Sequence, residues 1–479
     1  MNPCLCNIQS LSACASGIIR GVLRGPRARV LFLLGLGASL PLAGVLPHLS
    51  SVLPGSELGD VYKHAWSYSH LLAEGGNWPH STWLNAPAGG VLLDVMLGPA
   101  LLMAPVGLLA GPVVAANLWV WLSFFAIGAC TAALAYALFD SKEGGLLAGL
   151  LAQQAPYLAG YPLFSGVHER LAAWFFPLLL LCAWRLREGA GRKWGVLALA
   201  SAVLVTFSCA VYALWGGLML VLCLPLLKGE SGGGTRRLLP WGLGYSAVLG
   251  LGYAVARGVT YHPQTLSPQP GRLDLGLGVR VQEQDVASLG ELLNPFTVAA
   301  QQPVDSGDQL LEICYLSWVL IGVALLGLRS LRGSRTLKVL LGTGGLFALL
   351  SMGAVADFGL FQVPNLPYLL LAWLVPMYGR IPVPFQQLAV VTPLLALGAA
   401  AWVSTLVPAR RMWAVGGVFV LCLVERTLVL PVGVVDVFGQ FSRGEMVACE
   451  DRHGERVACG LVNYDAADAR RRPRCESEL

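Results

Sequence analysis

The sequence predicts an all-α polytopic membrane protein, a bundle of about eleven transmembrane helices joined by extracytoplasmic loops. Of its 479 residues, 56% are hydrophobic and only 12% are charged, whereas a soluble protein carries about 25% charged residues. The mean hydropathy is +0.65. Apolar runs of roughly 18 residues, enough to cross a bilayer core, recur from residue 30 to residue 430. Composition and run length together favour this architecture.

Three parts follow from the distribution of charge. Residues 1–29 carry four arginines in their last ten positions, at 20, 24, 27 and 29, and are predicted to be a cytoplasmic flank, because basic residues favour that side of a membrane. Residues 30–430 form the transmembrane module. Its first run, 30–49, is longer than a usual signal-peptide core, so it is interpreted as an uncleaved helix. Residues 431–479 are a polar tail, predicted to lie outside the cytoplasm.

The later spans are placed by requiring each strongly basic loop to be cytoplasmic. Under that rule the segment 92–111 only dips into the outer face, and the outer loops are 50–112, 257–312 and 355–384. The predicted spans after the first are 113–139, 144–164, 171–187, 194–208, 211–227, 238–256, 313–328, 339–354, 385–405 and 412–430.

The first loop carries the densest set of ionisable side chains. Asp60 suits a general base at the membrane surface, and it equally suits a helix N-cap. Glu57 has the same two interpretations. Apolar residues at helical spacing predict an amphipathic helix on the membrane surface from about residue 61. On that helix Asp60 and His64 would share a face, with Lys63 beside them.

Two further groups of charged residues lie at the ends of predicted spans. His168, Glu169 and Arg170 form a charged triplet between two apolar runs, and charges so close to hydrocarbon are costly and commonly functional. The alternative is a short loop whose charges reach water. Arg380 suits recognition of a lipid phosphate, or else simple anchoring at the interface.

Other chemistry lacks a sequence signal. The spacing of His64, His70 and His80 does not fit a metal site, so these are predicted to be surface histidines. No zinc-type cysteine spacing or phosphate-binding loop occurs in the sequence. Cys449 and Cys459 could pair if the tail is extracellular, and equally could stay free. The net charge of +5 is interpreted as cytoplasmic loop charge rather than a nucleic-acid surface.

Four stretches, taken in order, resemble the GT-C superfamily of polytopic glycosyltransferases. They are the first loop with Asp60, Trp66 and Asn85-Ala-Pro-Ala-Gly-Gly, then Ser165-Gly-Val-His-Glu-Arg, Glu312-Ile-Cys-Tyr-Leu-Ser and Gly379-Arg-Ile-Pro-Val-Pro-Phe. The chain looks most like the branch related to YfhO-type and dolichyl-phosphate-mannose-type transferases. The resemblance covers residues 30 to about 430.

The resemblance implies a glycosyltransferase of the cytoplasmic membrane. It would move a sugar from a polyprenyl-phosphate donor to an acceptor on the outer face, with membrane lipids as its surroundings and without nucleic acid. Asp60 and Glu169 would be catalytic and lie within about 10 Å of each other. A divalent metal could bind between them. The implied substrate-binding residues are Glu57, Lys63, His64, His168, Arg170 and Arg380.

Two other functions remain open on the sequence. One is a lipid or saccharide transporter or flippase without enzymatic activity. Charges lining the middle of spans would favour it, whereas here they collect at the predicted outer ends. The other is a relative of the same fold that has lost catalysis.

Overall fold

The computed structural model shows a bundle of α-helices and, among the residues that it describes, four two-stranded sheets. The residues that it describes are 25–55, 61–74, 80–81, 90–91, 96–164, 166–227, 233–260, 272–274, 280–282, 286–294, 314–375, 378, 383–429, 442, 446–450 and 456–461.

The helices are numbered in chain order. They are α1 Pro26–Ser39, α2 Val61–Glu74, α3 Leu97–Ala110, α4 Pro112–Phe139, α5 Lys142–Gln154, α6 Pro156–Leu158, α7 Phe175–Glu188, α8 Lys193–Thr206, α9 Ala210–Leu222, α10 Leu224–Leu227, α11 Gly233–Thr260, α12 Leu289–Leu293, α13 Trp318–Ser330, α14 Arg335–Leu350, α15 Leu366–Leu374, α16 Leu388–Thr405 and α17 Pro408–Val429.

The strands form four antiparallel hairpins, each made of consecutive strands. They are β1 His80–Ser81 with β2 Gly90–Val91, β3 Arg272–Asp274 with β4 Arg280–Gln282, β5 Val355–Asp357 with β6 Gln362–Pro364, and β7 Met446–Glu450 with β8 Arg456–Leu461.

The register of the last hairpin bears on the two cysteines of the tail. Cys449 pairs with Ala458 and Cys459 pairs with Ala448, so the cysteines are not cross-strand partners. Side chains meet across an antiparallel ladder mainly at directly opposite positions. The register therefore argues against a Cys449–Cys459 bridge.

Helix α16 forms the centre of the bundle and packs against α5, α13 and α14. Small residues allow these helices to approach closely. A Cβ on Gly398 would lie 2.5 Å from the Cα of Ala324, and one on Gly144 would lie 2.9 Å from the carbonyl oxygen of Ala400. Gly327 of α13 is packed on the backbone of Gly398 in the same way. The helices therefore touch through their backbones, as in other close helix pairs.

Buried amides bind the N-terminal helices to one another. The Nε2 of Gln153 donates to the carbonyl oxygens of Leu34 in α1 and Phe124 in α4, each at 3.0 Å. A Cβ on Gly37 would lie 2.5 Å from the Oε1 of Gln153, so glycine makes room for the amide. One side chain thereby fixes three helices, because a buried amide is costly unless its hydrogen bonds are made.

The expected bundle of about eleven transmembrane helices is wrong. Among the described residues, two helices are long and apolar enough to cross a membrane. They are Pro112–Phe139, which is α4, and Pro384–Thr405, which is α16 together with the 3-10 helix Pro384–Gln387 before it. The apolar runs do form helices, but most are short. Helices α8 and α9 have 14 and 13 residues, which is roughly 20 Å of rise, whereas a bilayer core is about 30 Å thick.

Helix breaks inside the apolar runs explain this shortening. The predicted span 144–164 contains Pro156, and α5 ends at Gln154, because a residue before proline is disfavoured in the helical conformation. A π-helical segment, Ala159–Phe164, follows and contains Pro162. Run length alone does not reveal such breaks. The 78% burial of the apolar window of Pro384–Thr405 also fits a core helix.

The helix predicted after Asp60 is present as α2, but the surface position predicted for it is wrong. Val61 and Tyr68, on the face expected to meet lipid, are buried in the protein. Leu72 packs on Gly107 of α3, where a Cβ would lie 3.0 Å from its Cδ1. His70, expected at the surface, is buried and its ring is stacked on Trp66 at 4.9 Å.

A pair of identical substitutions tests the central packing. Gly398→Ala is expected to destabilise the protein by about 1–3 kcal/mol, because the added methyl group meets the backbone of Ala324. Gly322→Ala, in α13, meets nothing within 4 Å. It is expected to stabilise the protein by about 0.5–1 kcal/mol, since alanine is the better helix former. Urea unfolding measures both, and effects of the same sign would contradict this packing.

Candidate functional site

The candidate site is built on the connection between the π-helical segment and α7, which includes the 3-10 helix His168–Trp174 and is called the turn below. Gly166 has φ +67°, a conformation that glycine adopts readily. Its Cα faces the start of α2, where a Cβ would lie 2.8 Å from the Cβ of Val61. Glycine at this position therefore lets the turn press directly against the residues that flank the first-loop acids.

His168 fixes the same turn from its other side. Its side chain is 1% exposed, and its Nε2 lies 2.9 Å from the carbonyl oxygen of Pro54. A carbonyl only accepts, so Nε2 carries the proton and donates. Gly55 follows Pro54, and a Cβ there would lie 2.9 Å from the Cα of Gly166. Gly55 and Val61, the described residues on either side of 56–60, thus both contact the turn.

Glu169 and Arg170 form a buried ion pair. The Nε of Arg170 lies 3.6 Å from Oε1 of Glu169, with 19% and 5% of the side chains exposed. Arg170 Nη1 also donates to the Sγ of Cys209 at 2.8 Å. The guanidinium carbon lies 6.0 Å from the ring centroid of Tyr212, within cation–π range. Tyr212 in turn donates to the carbonyl oxygen of Arg170 at 2.9 Å.

Two tyrosines upstream of the turn contact the residues that precede α16. Tyr161 packs edge-on against Phe385 with ring centroids 4.7 Å apart. The amide of Gln386 donates to the Tyr161 hydroxyl at 2.7 Å, and the Tyr157 hydroxyl donates to the Gln386 carbonyl at 3.2 Å. These contacts join α6 and the π-helical segment to the residues that precede the central helix α16.

Burial sets the protonation of the neighbouring groups. It raises the pKa of the Tyr157 and Tyr212 hydroxyls well above the ordinary value. Burial also raises the pKa of the Cys209 thiol to about 11, although Arg170 works to lower it. The hydroxyls and the thiol therefore stay protonated at neutral pH, and they can donate hydrogen bonds but not act as bases. The Glu169–Arg170 pair is the charged element of the cluster.

The structure brings together only part of the predicted site. His168, Glu169 and Arg170 lie side by side in the turn. Glu57, Asp60 and Arg380 lie outside the described residues. Lys63 and His64 are on α2, with their side chains outside the described part. The approach of Asp60 and Glu169 to within about 10 Å stays a prediction, although Val61, which follows Asp60, contacts the turn.

A metal site between Asp60 and Glu169 also stays a prediction. In the described part of the chain, no three His, Cys, Asp or Glu residues are grouped so that they could hold a metal ion. Glu169 is directed instead towards Arg170. The described residues of the turn act through hydrogen bonds: His168 and Arg170 donate them to neighbouring groups.

Sequence reasoning missed the partners of the turn. Cys209 lies at the break between α8 and α9 and accepts a hydrogen bond from Arg170, and its apolar sequence surroundings give no sign of that role. Two further charged residues, Glu425 and Arg426, lie away from the turn, within the predicted span 412–430. Two adjacent charges inside an apolar run are the signal that could have identified them, because such charges are costly without partners.

Comparisons with known proteins identify the C-terminal region. Residues 422–478 match the PUA domain family. The chain is 93% identical over 42 residues to glutamate 5-kinase of Alcanivorax borkumensis, which covers 9% of this chain and 11% of that protein. It is 64% identical over 42 residues to glutamate 5-kinase of Nitrosospira multiformis, again 9% and 11%. It is 44% identical over 79 residues to glutamate 5-kinase of Azoarcus sp. (strain BH72), which covers 14% of this chain and 21% of that protein.

The similarity is therefore strong and local. The chain spans about a tenth to a fifth of the length of these curated relatives. The PUA match begins at Cys422, inside α17 and upstream of residue 431, where the tail was predicted to begin.

These findings correct the expected function. The resemblance to GT-C glycosyltransferases is wrong, since the similar proteins are glutamate 5-kinases and the matching family is the PUA domain. The glycosyltransferase activity and the polyprenyl-phosphate donor are wrong on the same grounds, as are the alternatives of a transporter, a flippase or a GT-C relative without catalysis. The multi-pass location in the cytoplasmic membrane is also wrong, with two candidate spans in the described residues in place of eleven.

Matched glutamate substitutions test the ion pair. Glu169→Gln is expected to destabilise the protein by about 3 kcal/mol, because it leaves the charge of Arg170 buried without its partner. Glu188→Gln removes an exposed pair with Arg185, whose atoms are 3.0 Å apart, and should cost less than about 1 kcal/mol. Thermal unfolding compares the two. Equal small losses would show that the buried pair contributes nothing to stability.

Proposed function

We propose that residues 422–478 form a PUA-type module of the kind that glutamate 5-kinases carry, and that this module ties the chain's function to the phosphorylation of glutamate. The observation that carries the proposal is the 93% identity over 42 residues to the Alcanivorax borkumensis enzyme. An identity this high leaves few surface positions free to differ. The same contacts are therefore available to this chain over that length.

The composition of the matched region supports a separate module. Residues 422–478 contain ten acidic and eight basic residues among 57. This is about a third of the region, against 12% for the whole chain, and it exceeds the roughly 25% typical of soluble domains. A region with this composition can present a polar surface to water, unlike the apolar helices that precede it.

The hairpin β7–β8 lies within the matched region and gives it an ordered element. Its strands have five and six residues and pair in the antiparallel sense. A two-stranded hairpin alone is marginally stable in water. The proposal therefore requires the rest of the matched region to pack on this hairpin.

A graft tests whether the segment is equivalent to its relatives. The segment of the Alcanivorax borkumensis kinase that matches this chain is replaced by the corresponding residues of this chain. Glutamate-dependent consumption of the phosphoryl donor is then measured. The graft is expected to keep at least about half of the parent activity, because most of the contacts are unchanged.

A matched graft carrying Val447→Pro is the control for this experiment. Val447 pairs with Gly460, one position in from the open end of the hairpin, and proline there cannot donate a hydrogen bond to the ladder. This control should lose activity or melt earlier than the first graft. A first graft that folds but has lost its activity would contradict the proposal.

Catalysis of glutamate phosphorylation by this chain alone is a second candidate, favoured by the names of the relatives. The matched part covers 11% of those enzymes. The role of an accessory module is therefore better supported than catalysis by this chain alone. The purified chain is expected to show no glutamate-dependent phosphoryl transfer above that of a heat-denatured sample. Transfer that requires glutamate would replace the first proposal with the second.

A further inference from the structure

Glu425 lies in α17, three residues after the PUA match begins, and its carboxylate is buried in the helical bundle. Its Oε1 accepts a hydrogen bond from the Tyr315 hydroxyl at 2.6 Å and from the Trp318 backbone N–H at 2.6 Å. Its Oε2 accepts from the hydroxyl of Ser317. The Val319 N–H lies 3.3 Å from Oε1 and adds a weaker contact.

The donors converge because α13 begins there. Ser317 is the N-cap of α13, and its hydroxyl oxygen also accepts from the Leu320 N–H at 3.1 Å. Ser317 has φ +67°, which is uncommon for a residue other than glycine and persists where surrounding contacts hold it. The free N–H groups and the dipole of a helix N-terminus attract a carboxylate.

Arg426, the next residue, attaches α17 to a different part of the bundle. Its guanidinium donates to the Oε1 of Gln154 in α5. The Nε2 of Gln154 donates in turn to the carbonyl oxygen of Gly37 in α1 at 2.7 Å. Two successive residues of the PUA-matched segment are thereby bonded to elements far apart in the sequence.

We propose that Glu425 is a carboxylate latch that fixes the start of the PUA-matched segment to the helical bundle. The two hydroxyls and two N–H groups form the receptor, and Glu425 is the intramolecular ligand that fills it. The end of α17 is therefore fixed to the start of α13. Removing the carboxylate takes the acceptor from the buried hydroxyls of Tyr315 and Ser317, which favours detachment of the end of α17.

A receptor of this kind makes a specific prediction for small carboxylates. In Glu425→Ala the side chain ends at Cβ, and the space of the carboxylate becomes free. Acetate carries the same group and can accept the same hydrogen bonds. Acetate should therefore restore the variant, whereas chloride at equal ionic strength should not, because it lacks two oxygens at the required spacing.

The experiment uses the full chain and measures thermal unfolding together with limited proteolysis between residues 422 and 446. Glu425→Ala should lower the melting temperature by at least about 4 °C and speed cleavage in this interval. Sodium acetate should recover at least half of both changes. Glu143→Ala is the matched control, because Glu143 contacts the same helix through Arg411 at 3.7 Å but is 35% exposed. It should change neither measurement.

Tyr315→Phe keeps the test decisive if Glu425→Ala does not fold. It removes one donor and preserves the ring, so it should melt a few degrees earlier than the parent. Where both variants fold, the double variant should lose less than the sum of the single losses, since both remove the same contact. Additive losses, unchanged proteolysis in Glu425→Ala, or equal recovery by chloride and acetate would each overturn the latch.

Discussion

The contact between the backbones of α13 and α16 determines much of this structure. Gly327 and Gly398 bring the two helices so close that a Cβ on Gly398 would lie 2.5 Å from the Cα of Ala324. Because α16 is the helix around which α5, α13 and α14 are arranged, its position sets theirs. It also sets the position of the residues before it, including Phe385 and Gln386, which contact Tyr161 in the π-helical segment that precedes the turn.

The sequence predicted where the helices lie better than how long they are. The apolar runs 113–139 and 385–405 correspond closely to the helices Pro112–Phe139 and Pro384–Thr405. Elsewhere a run of apolar residues continued through a break, as at Pro156, and a short helix was counted as a span. Hydropathy measures how strongly a segment favours removal from water. Apolar side chains are removed from water in the interior of a helical bundle as well as in lipid, so hydropathy alone does not distinguish the two.

The candidate site was predictable only where its charges are adjacent in the sequence. His168, Glu169 and Arg170 were recognised because a charged triplet between apolar runs is unusual. Their partners Cys209 and Tyr212 come from another helix pair, and only the tertiary fold places them beside Arg170. The function was misjudged for a different reason. Loose motifs spread over 400 residues were weaker evidence than high identity over 42 residues.

The buried amide of Gln153 has a consequence for the order in which the chain is assembled. Its bonds reach back 119 residues to Leu34 and 29 residues to Phe124. The first helix therefore cannot take its final place until residue 153 has been synthesised. At about 5–20 residues per second, α1 waits on the order of ten seconds beside an unfinished chain. During that interval the Gly37 carbonyl keeps the hydrogen bond from the Leu40 N–H, and its second lone pair is left to water until the amide of Gln154 is in place.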